Sequence, residues 1–346
     1  MRKILILLAF LVLLAVPVSA TEYTAPTVSS EVEELMPAQT ESFGQGLWKL
    51  LKNSVLKLQP EMAAAAGCCL ALIAVVLMAS IFNGMPGNSK DIVRYVSTLA
   101  IGTILLGQAN TMINLCARTV EELCEYGKLL LPVITGALAA QGGTTGATAL
   151  YTGTAVFNTV LSTLIGKVLV PLVYVYLALS IGNAATGEEL LKKFRDFVKW
   201  LMSWMLKTIL YVFTGYMGIT RVITGSADAA TVKATKLTIS GMVPVVGGIL
   251  SDASETVVLS VGVMKNAVGI YGLFAFMGIW ISPFLQMGVQ YLLLKLTASV
   301  CAVFGVKEAS QLIDDFSTAM GFLLGMVGTV CLLHLISTIC FMKGMG

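Results

Sequence analysis

The chain has 346 residues, of which 57% are hydrophobic and only 12% carry a charged side chain. A soluble globular domain carries about 25% charged residues, so a surface this poor in charge needs lipid to cover much of it. The net charge of +3 comes from scattered basic residues, and without a dense basic patch nucleic acid is not an expected partner. Composition therefore predicts a membrane protein whose main surroundings are the lipid bilayer.

Residues 1–20 have the three parts of a secretory signal peptide. Arg2 and Lys3 give a positive start, residues 4–16 are apolar, and Val18-Ser19-Ala20 places small residues at the cleavage positions. The predicted cleavage follows Ala20. An uncleaved first anchor is the alternative, although this apolar run is short for a membrane span of about 20 residues.

Residues 21–61 are the predicted extracytoplasmic segment. Its first part is acidic and rich in turn-forming residues. From Phe43 to Leu58 it becomes amphipathic, with leucines on one side and Lys49, Lys52 and Lys57 mostly on the other. This pattern predicts a helix that lies on the membrane or on a partner.

Residues 62–128 are predicted to hold the first two membrane spans and an outer loop. The uncharged runs 62–82 and 95–115 are each long enough to cross the bilayer. Lys90 and Arg94 lie between them, as in a cytoplasmic loop. Five charged residues then predict the outer loop: Arg118, Glu121, Glu122, Glu125 and Lys128.

The remainder divides into two similar membrane sections, residues 129–236 and 237–346. A Pro-Val-x-x-Gly-x-Leu pattern begins at Pro132 and recurs 112 residues later at Pro244. Three further residues recur 119 positions apart, as Glu189 and Glu308, Asp196 and Asp315, and Phe197 and Phe316. The alternative is that apolar helices resemble one another by chance.

Each section is predicted to contain a short apolar segment broken by Pro and Gly, two spans, an amphipathic charged stretch and a third span. In the first section the two spans are 147–166 and 168–187, separated by Lys167, and the third is 200–220. The whole chain then has about seven full spans and two broken segments. A re-entrant broken segment gives three crossings per section, and this odd number would invert the second copy.

The fold class is therefore all-α, a polytopic helical membrane protein with an internal repeat. Inverted repeats with paired broken helices indicate a transport pathway at the repeat interface. The broken segments are 131–138 and 243–250, and the candidate pathway or gating residues are Pro132, Gly136, Pro244, Gly247, Gly248, Asp252, Lys265 and Asn266. For Lys207, Lys265 and Lys295, beside or within spans, snorkelling to the interface is the favoured interpretation.

Catalytic chemistry has little support in the sequence. It contains no Walker A motif, zinc-protease motif, nucleophile elbow or dinucleotide fingerprint, so no catalytic, cofactor-binding or metal site is predicted. The single histidine, His334, is interpreted as packed or hydrogen-bonded between helices. The seven cysteines are interpreted as small buried side chains, with a disulfide between Cys116 and Cys124 left as an alternative.

The stretch 241–256, GMVPVVGGILSDASET, followed by Lys265–Gly272, resembles the stage III sporulation protein AE family. The resemblance implies a multi-pass protein of the bacterial cell membrane, in the mother-cell membrane around the forespore. It also implies partners from one assembly: a secretion-type ATPase, ring-forming components and small membrane subunits. The family carries no catalytic residues to this chain.

Two functional hypotheses follow. In the first, the chain is the membrane core of a sporulation-specific, secretion-like channel that links mother cell and forespore. In the second, suggested by the repeat and the broken helices, it is an autonomous secondary transporter for a small solute. An intramembrane enzyme is a weaker third, because no paired catalytic set is present.

Overall fold

The computed structural model of this chain describes residues 28, 30–33, 43–83, 90–140, 144–223 and 267–343. Within these ranges the backbone is helical with short turns, so the all-α prediction is confirmed. The signal peptide with Ala20 and the second broken segment, 243–250, lie outside the described residues. The same holds for Asp252, Lys265 and Asn266.

The helices, in chain order, are α1 (Ser30–Glu33), α2 (Phe43–Lys57), α3 (Gln59–Asn83), α4 (Lys90–Ala140), α5 (Thr144–Leu164), α6 (Val170–Thr186), α7 (Glu189–Ile223), α8 (Ala267–Val303) and α9 (Lys307–Lys343). A π-helical turn, Ile165–Leu169, joins α5 to α6.

Five stretches of the described chain are long and apolar enough to cross a membrane. They are Gln59–Phe82, Ile92–Val133, Tyr151–Thr186, Gly272–Val303 and Lys307–Ile339. The multi-pass prediction is confirmed, with five such stretches in the described residues where the sequence predicted about seven spans in the whole chain. The predicted third span, 200–220, is part of α7 and falls outside this set.

The largest difference from the sequence prediction is at Lys167. Two spans were expected on either side of it, but residues 144–186 form one continuous helical segment. Lys167 lies in the π-helical turn with its side chain exposed. A single charged residue beside a glycine does not end the helix here. Ending it would leave backbone groups without hydrogen bonds in lipid, which is costly.

A second difference concerns α4, which is 51 residues long and therefore extends about 77 Å. The expected outer loop at 118–128 is helical, because its charged side chains point outward while Val120, Leu123 and Cys124 are buried. The helix also continues past Pro132 to Ala140, so the backbone of the first predicted broken segment is helical.

The Cys116–Cys124 disulfide that the sequence left as an alternative is wrong. Both residues are buried free thiols on α4. Eight residues of helix separate them by about 12 Å, and a disulfide requires Cα atoms within about 7 Å.

The last helix, α9, is the axis of the bundle. In an apolar 18-residue stretch of its candidate span 94% of the residues are buried, against 28% in that of α3. Helices α4, α6 and α8 pack around it, and α5 and α7 complete the ring. Phe316, Leu323 and Val327 are fully buried at its centre. The outer helices expose apolar side chains instead, such as Leu70 and Ile81 of α3, as expected where lipid is the solvent.

Two helical hairpins, α6–α7 and α8–α9, have the same orientation in the bundle. Arg195 near the start of α7 contacts Asp315 near the start of α9, so both hairpins turn at one end. Inversion of the second copy, which the sequence made conditional on a re-entrant broken segment, does not hold for these two hairpins, and the repeat itself stays a prediction.

Candidate functional site

The end of the bundle where both hairpins turn, here called the hairpin end, carries the candidate functional site. Gly187 ends α6 with φ of 73°, and Gly305 follows α8 with φ of 79°. Glycine adopts this left-handed conformation without a Cβ clash, which lets each helix stop and reverse direction. Each turn is followed by a helix that opens with a glutamate in its first turn, Glu189 in α7 and Glu308 in α9.

A buried arginine joins the two hairpins. Nη1 of Arg195 donates to Oδ2 of Asp315 at 2.8 Å, while its Nε and Nη2 donate to Oδ1 of Asp196 at 3.1 and 2.9 Å. The side chains of Arg195 and Asp315 are only 7% and 5% exposed. Asp196 and Asp315 are residues that recur 119 positions apart, so one guanidinium bridges two positions that the predicted repeat would make equivalent.

Asp315 is held from three helices. The hydroxyl of Tyr176 on α6 donates to its Oδ1 at 3.3 Å, and Nε2 of Gln311 on α9 donates to the same oxygen at 3.1 Å. Burial opposes the charge of Arg195, but the carboxylates of Asp315 and then Asp196 outweigh it, so the pKa of Arg195 is raised. The guanidinium therefore keeps its charge, and the hydrogen bonds that converge on Asp315 join α6, α7 and α9.

The position equivalent to Arg195 in the second hairpin has the opposite charge. It is Asp314, which forms an ion pair with Lys295 of α8. The Lys295 and Asp314 side chains are 49% and 33% exposed, so this pair is more accessible to solvent than the Arg195 pair. Lys295, which the sequence placed as a snorkelling residue, thus reaches a carboxylate at the hairpin end.

Helices α3 and α4 reach both turns through hydrogen bonds to backbone carbonyls. Oγ of Ser80 donates to the carbonyl of Phe304 at 2.8 Å, and Nε of Arg94 donates to the carbonyl of Ala185 at 3.0 Å. Carbonyls at the ends of helices lack intrahelical partners, so these bonds satisfy groups that would be costly to bury. The hairpin end is consequently a tied junction of several helices.

A cavity of about 250 Å³ opens beside the Arg195–Asp315 pair. Its lining combines charged side chains of α7 and α9 with the end of α6. The lining residues are Asn183, Ala184, Gly187, Lys192, Arg195, Lys307, Glu308, Gln311, Leu312 and Asp315.

A second polar cluster lies inside the bundle, where α4, α5 and α9 meet. Nδ1 of His334 donates to the carbonyl of Val330 at 2.8 Å, and the imidazole lies 5.0 Å from the ring of Phe276. Nδ2 of Asn158 donates to the carbonyl of Cys124 at 3.0 Å. The packed interpretation of His334 is confirmed, since its side chain is only 2% exposed.

Gly127 makes room for this cluster. A Cβ on Gly127 would lie 2.3 Å from Nε2 of His334 and 3.3 Å from Nδ2 of Asn158. The sequence offered no sign that Gly127 and Asn158 meet His334, because each is an isolated residue in a different apolar helix.

The two candidate pathway residues that the structure describes, Pro132 and Gly136, do not lie at the hairpin end. Pro132 and Gly136 lie on α4, which starts at the hairpin end with Lys90. Pro132 is about 60 Å from Lys90 along the helix. Their partners in the second copy lie outside the described residues, so the paired-segment pathway stays a prediction. The sequence identified Asp196 and Asp315 as a repeated feature but missed Arg195, which joins them.

Comparison with known proteins adds a family assignment to this geometry. Residues 28–346 match the model of a family described as Stage III sporulation protein AE. Stage III sporulation protein AE of Bacillus subtilis (strain 168) is 21% identical over 269 residues, which cover 78% of this chain and 67% of that protein. No solved structure matches the chain.

Proposed function

Because the chain belongs to the stage III sporulation protein AE family, we propose that it is the membrane core of a sporulation-specific, secretion-like channel. This channel links mother cell and forespore and is needed for spore development. The chain would lie in the mother-cell membrane around the forespore, where it assembles with an ATPase, ring-forming subunits and small membrane subunits.

The observation that carries the proposal is the packing of α9. The centre of the bundle is filled by side chains of this helix, in which 94% of the residues of an apolar 18-residue stretch are buried. A passage for a large passenger therefore does not run along the axis of one described bundle. It would be built between copies of the chain or between the chain and its partners, which suits a subunit of an assembly.

The distribution of charge disfavours the autonomous transporter. Such a carrier holds its substrate near the membrane midplane, at broken helices that converge there. The charged cluster of the described residues, Arg195 with Asp196 and Asp315, lies instead at the hairpin end, where both hairpins turn.

The basic residues at the hairpin end support a proposed orientation of the chain in the membrane. This end carries many of the basic residues of the membrane region, including Arg94, Lys192, Lys199 and Lys307. Lys and Arg are enriched on the cytoplasmic side of membrane proteins, so we assign this end to the mother-cell cytoplasm, where an ATPase could reach it. Helix α2 joins the start of α3, and the length of α3 separates that start from the hairpin end by about 36 Å. Helix α2 would therefore face the space between the membranes.

Deletion of the gene in the spore-forming host tests the proposal. We expect normal early development followed by shrunken forespores without late forespore transcription, restored by a wild-type copy expressed in the mother cell. The same copy expressed only in the forespore is the matched control and should not restore it. Normal spores combined with loss of uptake of one solute would overturn the channel proposal and favour the transporter.

A further inference from the structure

We propose that the cavity at the hairpin end binds the phosphate group of an anionic phospholipid. The cavity has about 250 Å³ of space, near the lower end of the roughly 300–1,000 Å³ typical of small-molecule pockets. That size suits a single headgroup rather than a large solute.

The depth of the cavity in the membrane supports a lipid ligand. It lies where the candidate spans Tyr151–Thr186 and Gly272–Val303 end and Lys307–Ile339 begins. Since these spans are apolar, their common end corresponds to the headgroup region of one leaflet. A phosphate in the cavity would then lie at the depth of the phosphates of the surrounding lipids.

The charges around the cavity favour an anion. Among the residues that line the cavity, Arg195 pairs with Asp315, which leaves Lys192 and Lys307 with one further carboxylate, Glu308. Asp196, the second partner of Arg195, is 55% exposed and does not line the cavity. Lys192 also pairs with Glu189 at 3.4 Å, an exposed contact that exchanges readily with water. Arg94 adds positive charge at the rim, since its Nη1 lies 3.8 Å from where a Cβ on Gly187 would be.

Apolar surface beside the cavity provides a place for acyl chains. Leu190 and Val303, at the same end of the bundle, are 64% and 82% exposed. Farther along α7, Phe197, Trp200 and Trp204 form an exposed ladder of stacked rings, with neighbouring centroids 5.9 and 6.3 Å apart. Exposed tryptophans are typical of the membrane interface, so this face of α7 fits beside the same lipids.

Native mass spectrometry of the purified full-length chain in a neutral detergent tests the site. The probes are short-chain phosphatidylglycerol, short-chain phosphatidylcholine and inorganic phosphate. We expect phosphatidylglycerol to bind more tightly than phosphatidylcholine. The double variant Lys192→Gln/Lys307→Gln should weaken that binding about thirty-fold, because each lysine near an anionic headgroup contributes about a factor of five.

The matched control is Lys193→Gln/Lys199→Gln, which removes the same charge from exposed lysines that do not line the cavity. It should change the affinity less than two-fold, and both variants should keep the wild-type helical content by circular dichroism. Equal weakening by the two double variants, or equal binding of the two lipids, would overturn the proposal. Binding of inorganic phosphate without measurable binding of phosphatidylglycerol would assign the cavity to a soluble phosphate and reject the lipid.

Discussion

The buried ion pair at the hairpin end makes the sharpest prediction about stability. Replacing Asp315 with Asn keeps the shape of the side chain but removes the counter-charge of Arg195, whose side chain is 7% exposed. The guanidinium would keep only Asp196, and the side chain of Asp196 is 55% exposed. Arg195 would therefore remain charged in a site that no longer compensates it fully.

Breaking a buried pair from one side costs about 3–5 kcal/mol, while an exposed pair contributes about 0–1 kcal/mol. We therefore expect Asp315→Asn to lower the free energy of unfolding by about 3 kcal/mol or more. Two controls come from the same region. Asp196→Asn removes the exposed carboxylate on the same guanidinium, and Asp314→Asn removes the pair with Lys295, and each should cost about 1 kcal/mol or less.

The assay is unfolding of the purified chain in mixed micelles with increasing SDS, followed by circular dichroism and tryptophan fluorescence. A fourth variant, Arg195→Met combined with Asp315→Leu, separates the loss of the pair from the isolated charge. Replacing both partners by apolar residues is often nearly neutral, so this double variant should be more stable than Asp315→Asn. If Asp315→Asn and Asp196→Asn unfolded at the same SDS concentration, the stability of the hairpins would not depend on the Arg195–Asp315 pair.

Two further substitutions test other parts of the molecule. Gly127→Ala should destabilise the bundle by about 1–3 kcal/mol in the same assay, because its Cβ would lie 2.3 Å from Nε2 of His334. Gly107→Ala on the same helix has open space and should be neutral or stabilising, and the reverse ranking would contradict the packing. Pro244→Leu combined with Gly248→Leu should impair spore formation while membrane insertion stays normal, and wild-type sporulation in that strain would reject the gating hypothesis.

The class of protein was predictable because a chain with few charged residues and many hydrophobic ones must have a surface that lipid covers. The boundaries were less predictable, and Lys167 and the charged stretch 118–128 show why. A charge in an apolar run marks a loop only if the helix cannot expose that side chain. At both places the charged side chains are exposed on a helix that continues.

The contacts at the site depend on information that a single sequence does not hold. The recurrence of Asp196 as Asp315 was visible as a spacing, but the pairing of Arg195 with Asp315 joins residues 120 positions apart. Which faces of α7 and α9 meet is decided by packing around the buried α9, and the local pattern of neither helix specifies it. For the same reason the cluster of Gly127, Asn158 and His334 could not be anticipated.

The parallel orientation of the two hairpins bears on how the protein would work. Inverted repeats give a transporter two similar faces, which it exposes alternately. Hairpins that turn at one end instead bring charged residues of both hairpins to that end, where Arg195 of α7 pairs with Asp315 of α9. Alternating access would require the hairpins to separate at the buried Arg195–Asp315 pair, the contact whose loss is expected to cost most at this end.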